Sequence, residues 1–441
     1  MTTKLLRIVD FRGGLPSSAE INRIVPRASL KIETAVDQVT SLIQDVADRG
    51  EVALVELTQK FDGFDPSPIR VPQAELDAAL ASLSAGLRTA LETSISRVRQ
   101  VSVDNLPVTV TTEFSNGGKV HQRWAPVDSV GLYVPGGKAV YPSSVVMNVV
   151  PAQVAGVSRL VITTPGQKAF GGRPHPTVLA AAALLGVTEV YNVGGPAAIA
   201  ALAHGVPSIG LEPVALVTGP GNIYVTAAKR AVRGLVGIDS EAGTTEILVI
   251  ADAQANPEFV AADLLSQAEH DEAAASVLVT DSQELAEAVQ LALVRRLAQT
   301  SHSERAKTAL IGEQSAIVLV DNLGSAVEFA NAYATEHLEI HTADPELVLP
   351  RITNAGAIFI GEYSPVSLGD YLAGSNHVLP TGEQAKFGPG LGVHTFLRPQ
   401  QVINYSRSAL SDVASQIDVF AKAEGLAAHG DAATIRFNGG K

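Results

Sequence analysis

From about residue 128 onward the chain alternates short β-branched runs with alanine-rich helical stretches, and that rhythm restricts the fold more than any other feature. VGLYV, RLVITT, EVYNV and ALVT come first. Each is closed by a turn: Pro135-Gly136-Gly137, PGQ, Gly194-Gly195 and Gly219-Pro220-Gly221-Asn222. ILVIAD, SVLVT, AIVLV and AIFI follow, with helical patterns at about 256–271, 282–299 and 323–334. Strands separated by helices of this length need crossover connections, which makes the sheets parallel. Uninterrupted apolar strands are those with helices on both faces. The pattern therefore predicts an α/β fold of two units, roughly 129–245 and 246–360, forming two lobes with a cleft between them.

The N-terminal third reads as helical. Ile32, Val36, Val39, Ile43 and Val46 recur at three- and four-residue steps, Gly50 supplies a stop, and a second helical stretch runs from about Pro72 to Val103. FDGFDPSP between them is turn chemistry. A further helix is expected at about 410–428, before a polar, glycine-containing tail.

Composition removes several function classes. Thirty-two basic against 45 acidic residues give a net charge of −13, a poor match for a nucleic-acid backbone or an anionic membrane. The 441 residues contain no cysteine, which excludes disulfides, thiolate metal sites and a cysteine nucleophile. The opening MTTKLLRIVDFRGG lacks the apolar core of a signal peptide, and no charge-free apolar run is long enough for a membrane span. A cytoplasmic location is expected, although missing cysteines suit an oxidising compartment equally.

Common nucleotide and hydrolase signatures are missing. The nearest to a dinucleotide fingerprint is Gly219-x-Gly221-x-x-Tyr224, with tyrosine where a third glycine would allow close helix–strand packing. Locally this is a tight strand-to-helix turn with Asn222 as N-cap.

The histidines lie near carboxylates and amides. In LLSQAEHDEAA, Gln267 and His270 are three apart on a helix and either supply two zinc ligands or mark a solvated helix end. In ATEHLEIHT, alternation favours a strand, with His337, Glu339 and His341 on one side and Glu336 on the other; the segment is an acid–base site or a half-exposed edge. The loop SLGDYLAGSNHVLPTG carries Asp370, a candidate oxygen ligand, and His377, a candidate substrate contact. In AEGLAAHG, Glu424 and His429 are five apart and do not share a helix face, unless Gly425 breaks the helix.

Taken in order, SQAEH, EHLEI, GSNHVLPTG and EGLAAH resemble histidinol dehydrogenases, over most of the chain from GLYVPGG to AEGLAAHG. The resemblance implies zinc-dependent, NAD-linked oxidation of L-histidinol to L-histidine through the aldehyde, with incomplete Rossmann-like topology. It implies Gln267, His270, Asp370 and His429 as zinc ligands, with Glu336 and His337 as the acid–base pair. Thr245, His377 and Glu424 become further substrate contacts, and Tyr133 and Asn222 cofactor contacts. Ala197 stands where some relatives have a glutamine at the cofactor site, which puts that local contact in question.

The resemblance also implies a homodimer whose C-terminal residues complete the partner's site. The expected division is an N-terminal arm (1–28), a zinc-bearing catalytic domain (29–128 with 246–390), a dinucleotide-binding domain (129–245) and a C-terminal segment (391–441).

With no thiol available, aldehyde oxidation must proceed through a hydrate. Glu336 is expected to activate the water, and His337 to take the alcohol and hydrate protons. Zinc, which has no redox chemistry of its own, would orient the substrate's imidazole and amine. Two other readings use the same residues: a zinc hydrolase without dinucleotide, and a two-lobed binding protein for a small amine or imidazole compound.

Overall fold

Two parallel sheets form the body of the chain in this computed structural model, which describes residues 4–27, 32–136 and 140–437. Gly137 and the expected 28/29 boundary lie outside the described residues. In chain order the strands are β1 (Arg7–Asp10), β2 (Val110–Phe114), β3 (Gly118–Pro126), β4 (Ser129–Tyr133), β5 (Arg159–Thr164), β6 (Glu189–Asn192) and β7 (Leu216–Thr218). Then come β8 (Gly237–Ile238), β9 (Glu246–Ala251), β10 (Ala275–Thr280), β11 (Ala316–Leu319), β12 (His337–His341), β13 (Ala357–Ile360) and β14 (Leu397–Tyr405).

The first lobe has the order β6-β5-β4-β7-β8, with every pair parallel. The second has β1-β11-β10-β9-β12-β13, also parallel throughout. Counted from β4 and from β9, both follow the doubly wound order 3-2-1-4-5, with β1 added at one edge of the second sheet. Each sheet therefore has a switch point, β4/β7 in one lobe and β9/β12 in the other.

The predicted two-sided burial is observed. Along β9, Ile247, Val249 and Ala251 enter one apolar cluster while Leu248 and Ile250 enter the cluster on the opposite face. The N-terminal helices pack differently from the expected grouping of 29–128 with 246–390. Helix Ile32–Arg49 lies on helices Gly195–His204 and Ile223–Val232 of the first lobe. Its buried Ala35, Val39, Ile43 and Val46 meet a surface rich in alanine, where small side chains allow close approach.

The expected stretch at 72–103 is two helices, Gln73–Ala81 and Ala85–Asp104. Ser84 interrupts it, and its Oγ accepts from the Leu87 amide at 3.3 Å. Both helices also cover the first lobe, against helices Pro176–Leu184 and Pro142–Ala155.

Two elements have no counterpart in the periodicity reading. β1, inside the expected N-terminal arm, adds to the second sheet beside β11. β2, β3 and β14 form a separate antiparallel sheet that joins residues 110–126 to the C-terminal segment.

The Gly219 turn brings the chain to the switch point of the first lobe. Gly219 has φ +116°, and a Cβ there would lie 2.1 Å from the Tyr133 carbonyl oxygen. Lys229 Nζ donates to the Gly219 carbonyl at 3.0 Å, and Asp239 accepts from the Gly219 amide at 2.9 Å. Lys229 and Asp239 are themselves a buried ion pair. Tyr224, at the missing third glycine, points outward and is exposed, so it does not obstruct packing of its helix.

Gly219→Ala should destabilise the chain by roughly 2 kcal/mol or more, since the left-handed backbone costs about 1–3 kcal/mol before any steric clash. Urea unfolding midpoints measure this, and a midpoint equal to that of the wild type would show that the turn relaxes freely.

Candidate active site

Strand β9 is preceded by Gly243-Thr244-Thr245, the end of the segment that leaves the first lobe after β8. It delivers Thr245 and Glu246 to the amino end of β9. Glu336 and His337 arrive at the amino end of the neighbouring strand β12, in parallel register with it. A cavity lined by Ile223 and Thr226 of the first lobe and by Thr245 and Glu246 of the second lies at this junction. The carboxyl side of one switch point thus faces the amino side of the other.

The peptide of Glu246 holds both members of the couple. Its N–H donates to Glu336 Oε2 at 3.0 Å, and its carbonyl oxygen lies 3.1 Å from His337 Nδ1. A carbonyl can only accept, so Nδ1 carries the proton and Nε2 bears the lone pair. Among the described residues, the buried His337 Nε2 has no partner. Thr245 Oγ1 donates to Glu336 Oε2 at 2.5 Å and accepts from the Gln267 side-chain amide. Gln267 Oε1 is then left buried without a partner among the described residues.

Burial is the main cause that lifts the Glu336 carboxyl above its ordinary range, and Asp370 adds to it. His337, Thr245 and the Glu246 amide pull it back. Burial pushes the His377 imidazole down, with His337 and His270 in the same direction and Asp370 against them. Those groups share one electrostatic neighbourhood, although the sequence spreads them over more than a hundred positions.

The positions of the predicted residues differ in detail from the sequence reading. The helix expected at 256–271 ends at Ala268, so Gln267 is in its last turn while His270 stands exposed on the turn beyond it. Asp370 is on a short helix, Val366–Tyr371, rather than in a loop. His377 Nδ1 faces the Asp370 carbonyl at 3.0 Å, and its Nε2 faces Ser144 Oγ at 3.1 Å, across to the first lobe. The edge-strand alternative for ATEHLEIHT does not hold: β12 runs between β9 and β13, and all five of its residues are buried.

Glu424 and His429 are not brought to this cluster within one chain. The helix expected at 410–428 is two helices, Arg407–Ala423 and Ala427–Thr434, packed on each other. Gly425, at φ +72°, breaks them apart as the sequence allowed. Both Glu424 and His429 are exposed there.

Tyr133 is buried at the carboxyl end of β4. Its hydroxyl accepts from the Gly195 amide at 3.2 Å, and burial raises the phenol to about 12. Asn222 is exposed and caps its helix, accepting from the Tyr224 and Val225 amides at 3.0 and 3.2 Å. Ala197 is buried in helix Gly195–His204.

A second polar cluster lies deeper, on the same face of β12 as His337 and one turn before Gln267. Asp263, Glu339 and His341 are buried and place ligand atoms within 4.8 Å of one another, a grouping able to hold a metal ion. His341 Nε2 is 3.2 Å from Glu339 Oε2, and Glu339 Oε1 accepts from the Val366 amide at 3.0 Å. The alternation of HLEIH showed Glu339 and His341 on one face, but Asp263 gave no signal in the sequence. Burial, with the Glu339 charge and its hydrogen bond added, pushes Asp263 up to about 8.

Comparison with known proteins places this arrangement among relatives. A family model described as histidinol dehydrogenase matches residues 25–437. A histidinol dehydrogenase of Leifsonia xyli is 58% identical over 432 residues, covering 98% of this chain and 99% of the relative. One of Nocardia farcinica is 56% identical over 441 residues, covering 99% of each. The crystal structure of histidinol dehydrogenase from Elizabethkingia anophelis superposes with a TM-score of 0.93 at 32% identity, covering 99% of each chain.

The folded Asp263 pKa lies above its unfolded value, so its stabilising contribution is complete below about pH 4 and is lost as the pH rises through about 8. Asp263→Asn should flatten the decline of stability between those limits. Urea midpoints at several pH values test this; parallel curves for variant and wild type would contradict it.

Proposed function

The chain belongs to the histidinol dehydrogenase family, and on that premise we infer that the couple Glu336–His337 performs its proton transfers. This family carries out the NAD-linked oxidation of histidinol in histidine biosynthesis and uses NAD and zinc. The observation that carries the residue assignment is the buried, unpartnered Nε2 of His337, opposite an Nδ1 that faces a carbonyl. That tautomer makes Nε2 a base able to take the alcohol proton as hydride departs to NAD⁺. In the second oxidation, Glu336, held above the usual carboxylate range, takes a proton from the water that adds to the aldehyde. His337, having released its first proton to solvent, again receives the hydroxyl proton of the resulting hydrate while the carbon's hydride leaves to a second NAD⁺. No cysteine is present to offer a thiol route.

Gln267, His270 and Asp370, with His429 from a partner subunit, are the proposed zinc ligands. The unpartnered buried Oε1 of Gln267 fits that role, and imidazole, amide and carboxylate donors suit the ion. Zinc bound there supplies positive charge that orients the substrate's imidazole and amine. Thr245 orients Gln267 and Glu336 together, and His377 and Glu424 are assigned to the substrate. Tyr133 and Asn222 stand at the first-lobe switch point, the ordinary location for a dinucleotide. Packed Ala197 offers no polar group to it.

The proposed assembly is a homodimer. Its support is the exposure of His429 and Glu424, together with solvent-facing Val419 and Phe420 on the first of these two helices and Leu426 in the turn between them. We assign the chain to the cytoplasm on the strength of its biosynthetic reaction. Among the described residues, no helix is long and apolar enough to cross a membrane.

Histidinol and NAD⁺ should yield NADH, and a chelator should abolish it; no NADH from folded, zinc-loaded protein would reject the reading. Glu336→Gln should slow the aldehyde step more than the alcohol step, measured by supplying each substrate separately. Equal losses would remove the water-activating role.

Mixing Glu336→Gln with His429→Ala subunits should restore about a quarter of wild-type activity, because half of randomly paired dimers gain one intact site of two. No recovery after verified subunit exchange would place His429 in its own chain's site or outside any site.

A further inference from the structure

The N-terminal segment carries no chemical signature, yet one of its side chains reaches the floor of the site. Arg27 Nε contacts Glu246 Oε2 at 2.6 Å, and the Glu246 side chain is almost completely buried. The guanidinium carbon lies 4.0 Å from the centroid of the Tyr333 ring, and Nη2 donates to the Tyr333 carbonyl. Nη1 donates to Asn22 Oδ1 at 3.3 Å, and Asn22 in turn donates to Glu383 at 2.8 Å. The other Glu246 oxygen accepts from the Gly382 amide at 2.9 Å. Both carboxylate oxygens are therefore fixed, one by the N-terminal segment and one by the strap that follows His377.

Residue 246 is also the position whose peptide holds the acid–base couple. Its N–H goes to Glu336 and its carbonyl to His337. Side chain and main chain of one residue thus link the Arg27 guanidinium to both reacting groups. We propose that Arg27 and Glu246 are positioning residues, an ion pair that fixes the peptide of residue 246 and thereby the tautomer of His337 and the orientation of Glu336. This rests on the catalytic assignment of Glu336 and His337 given above.

The geometry explains why a charged pair is kept under the site. A buried carboxylate needs a partner, and a planar guanidinium can bond carboxylate and carbonyl groups together while stacking on a ring. The same carboxylate is close enough for its charge to act on Glu336, so a displaced Arg27 changes both placement and electrostatics. Small displacements are costly in such a site: about 1 Å is enough for a hundredfold loss of rate.

The test uses full-length, zinc-loaded Arg27→Met, Arg27→Lys, Glu246→Gln and the Arg27→Met/Glu246→Gln double variant, assayed with histidinol and NAD⁺. Arg27→Met and Glu246→Gln should each lower kcat about tenfold to a hundredfold, with KM for NAD⁺ changed less than about twofold. Arg27→Lys should recover part of kcat. The double variant should be no worse than the worse single one, because the pair acts as a unit. The pH profile of kcat should also shift in Arg27→Met.

Wild-type kcat, additive losses, or a loss equal to the unfolded fraction with an unmoved pH profile would overturn the proposal. Glu336→Gln run in parallel separates the two levels. Full retention of both oxidation steps there removes the catalytic assignment itself, whereas its inactivity beside active Arg27 and Glu246 variants removes only the positioning role.

Discussion

The peptide of Glu246 is the point on which the site depends. A buried imidazole and a buried carboxylate are each costly without partners, and one backbone position supplies an acceptor to the first and a donor to the second. Backbone groups have no rotamers to lose and cannot exchange donor for acceptor. The arrangement therefore fixes the proton on Nδ1, which also lies 3.4 Å from Glu336 Oε2, and among the described residues leaves Nε2 without a partner. Glu336 is held by the same peptide and by Thr245, so its carboxylate and the His337 ring keep one relative orientation.

The sheet topology explains where this peptide lies. Both lobes follow the same strand order, but they use opposite ends of it. The first presents the carboxyl side of β4 and β7, where turns and a helix start converge. The second presents the amino side of β9 and β12, because the chain enters β9 directly from the first lobe. The loop after Asp370 closes the junction: Asn376 donates to the Met147 carbonyl, His377 meets Ser144, and Val378 is buried in the first lobe's core.

Much of the frame was legible in the sequence. Buried apolar runs and the turns that end them located the strands of both parallel sheets, since the side-chain pattern of a two-sided strand is local. The predicted strand character of HLEIH was correct, and its β-branched alternation was the signal. The grouping of the N-terminal helices was not legible, because the stripe of Ala35, Val39, Ile43 and Val46 states that a helix has an apolar face but not which surface receives it. β1 and the β14–β3–β2 sheet were missed for a related reason: their pairing partners are far away in the chain, and RIVD is too short to carry a period.

The sequence alone determined the strands and helices of the two parallel α/β units, the absence of thiol chemistry and, through four ordered motifs, the reaction to expect. It also held every side chain that the site uses. Only the tertiary structure decided which of them meet: Thr245, Gln267, Glu336, His337, Asp370 and His377 converge, while Glu424 and His429 project from a separate helical pair. It alone joined Arg27 to Glu246 and buried Asp263 beside Glu339 and His341. The physical reason is that secondary structure follows from neighbours three or four positions apart, whereas the protonation and partnering of a polar group depend on what long crossovers bring within about 3 Å of it.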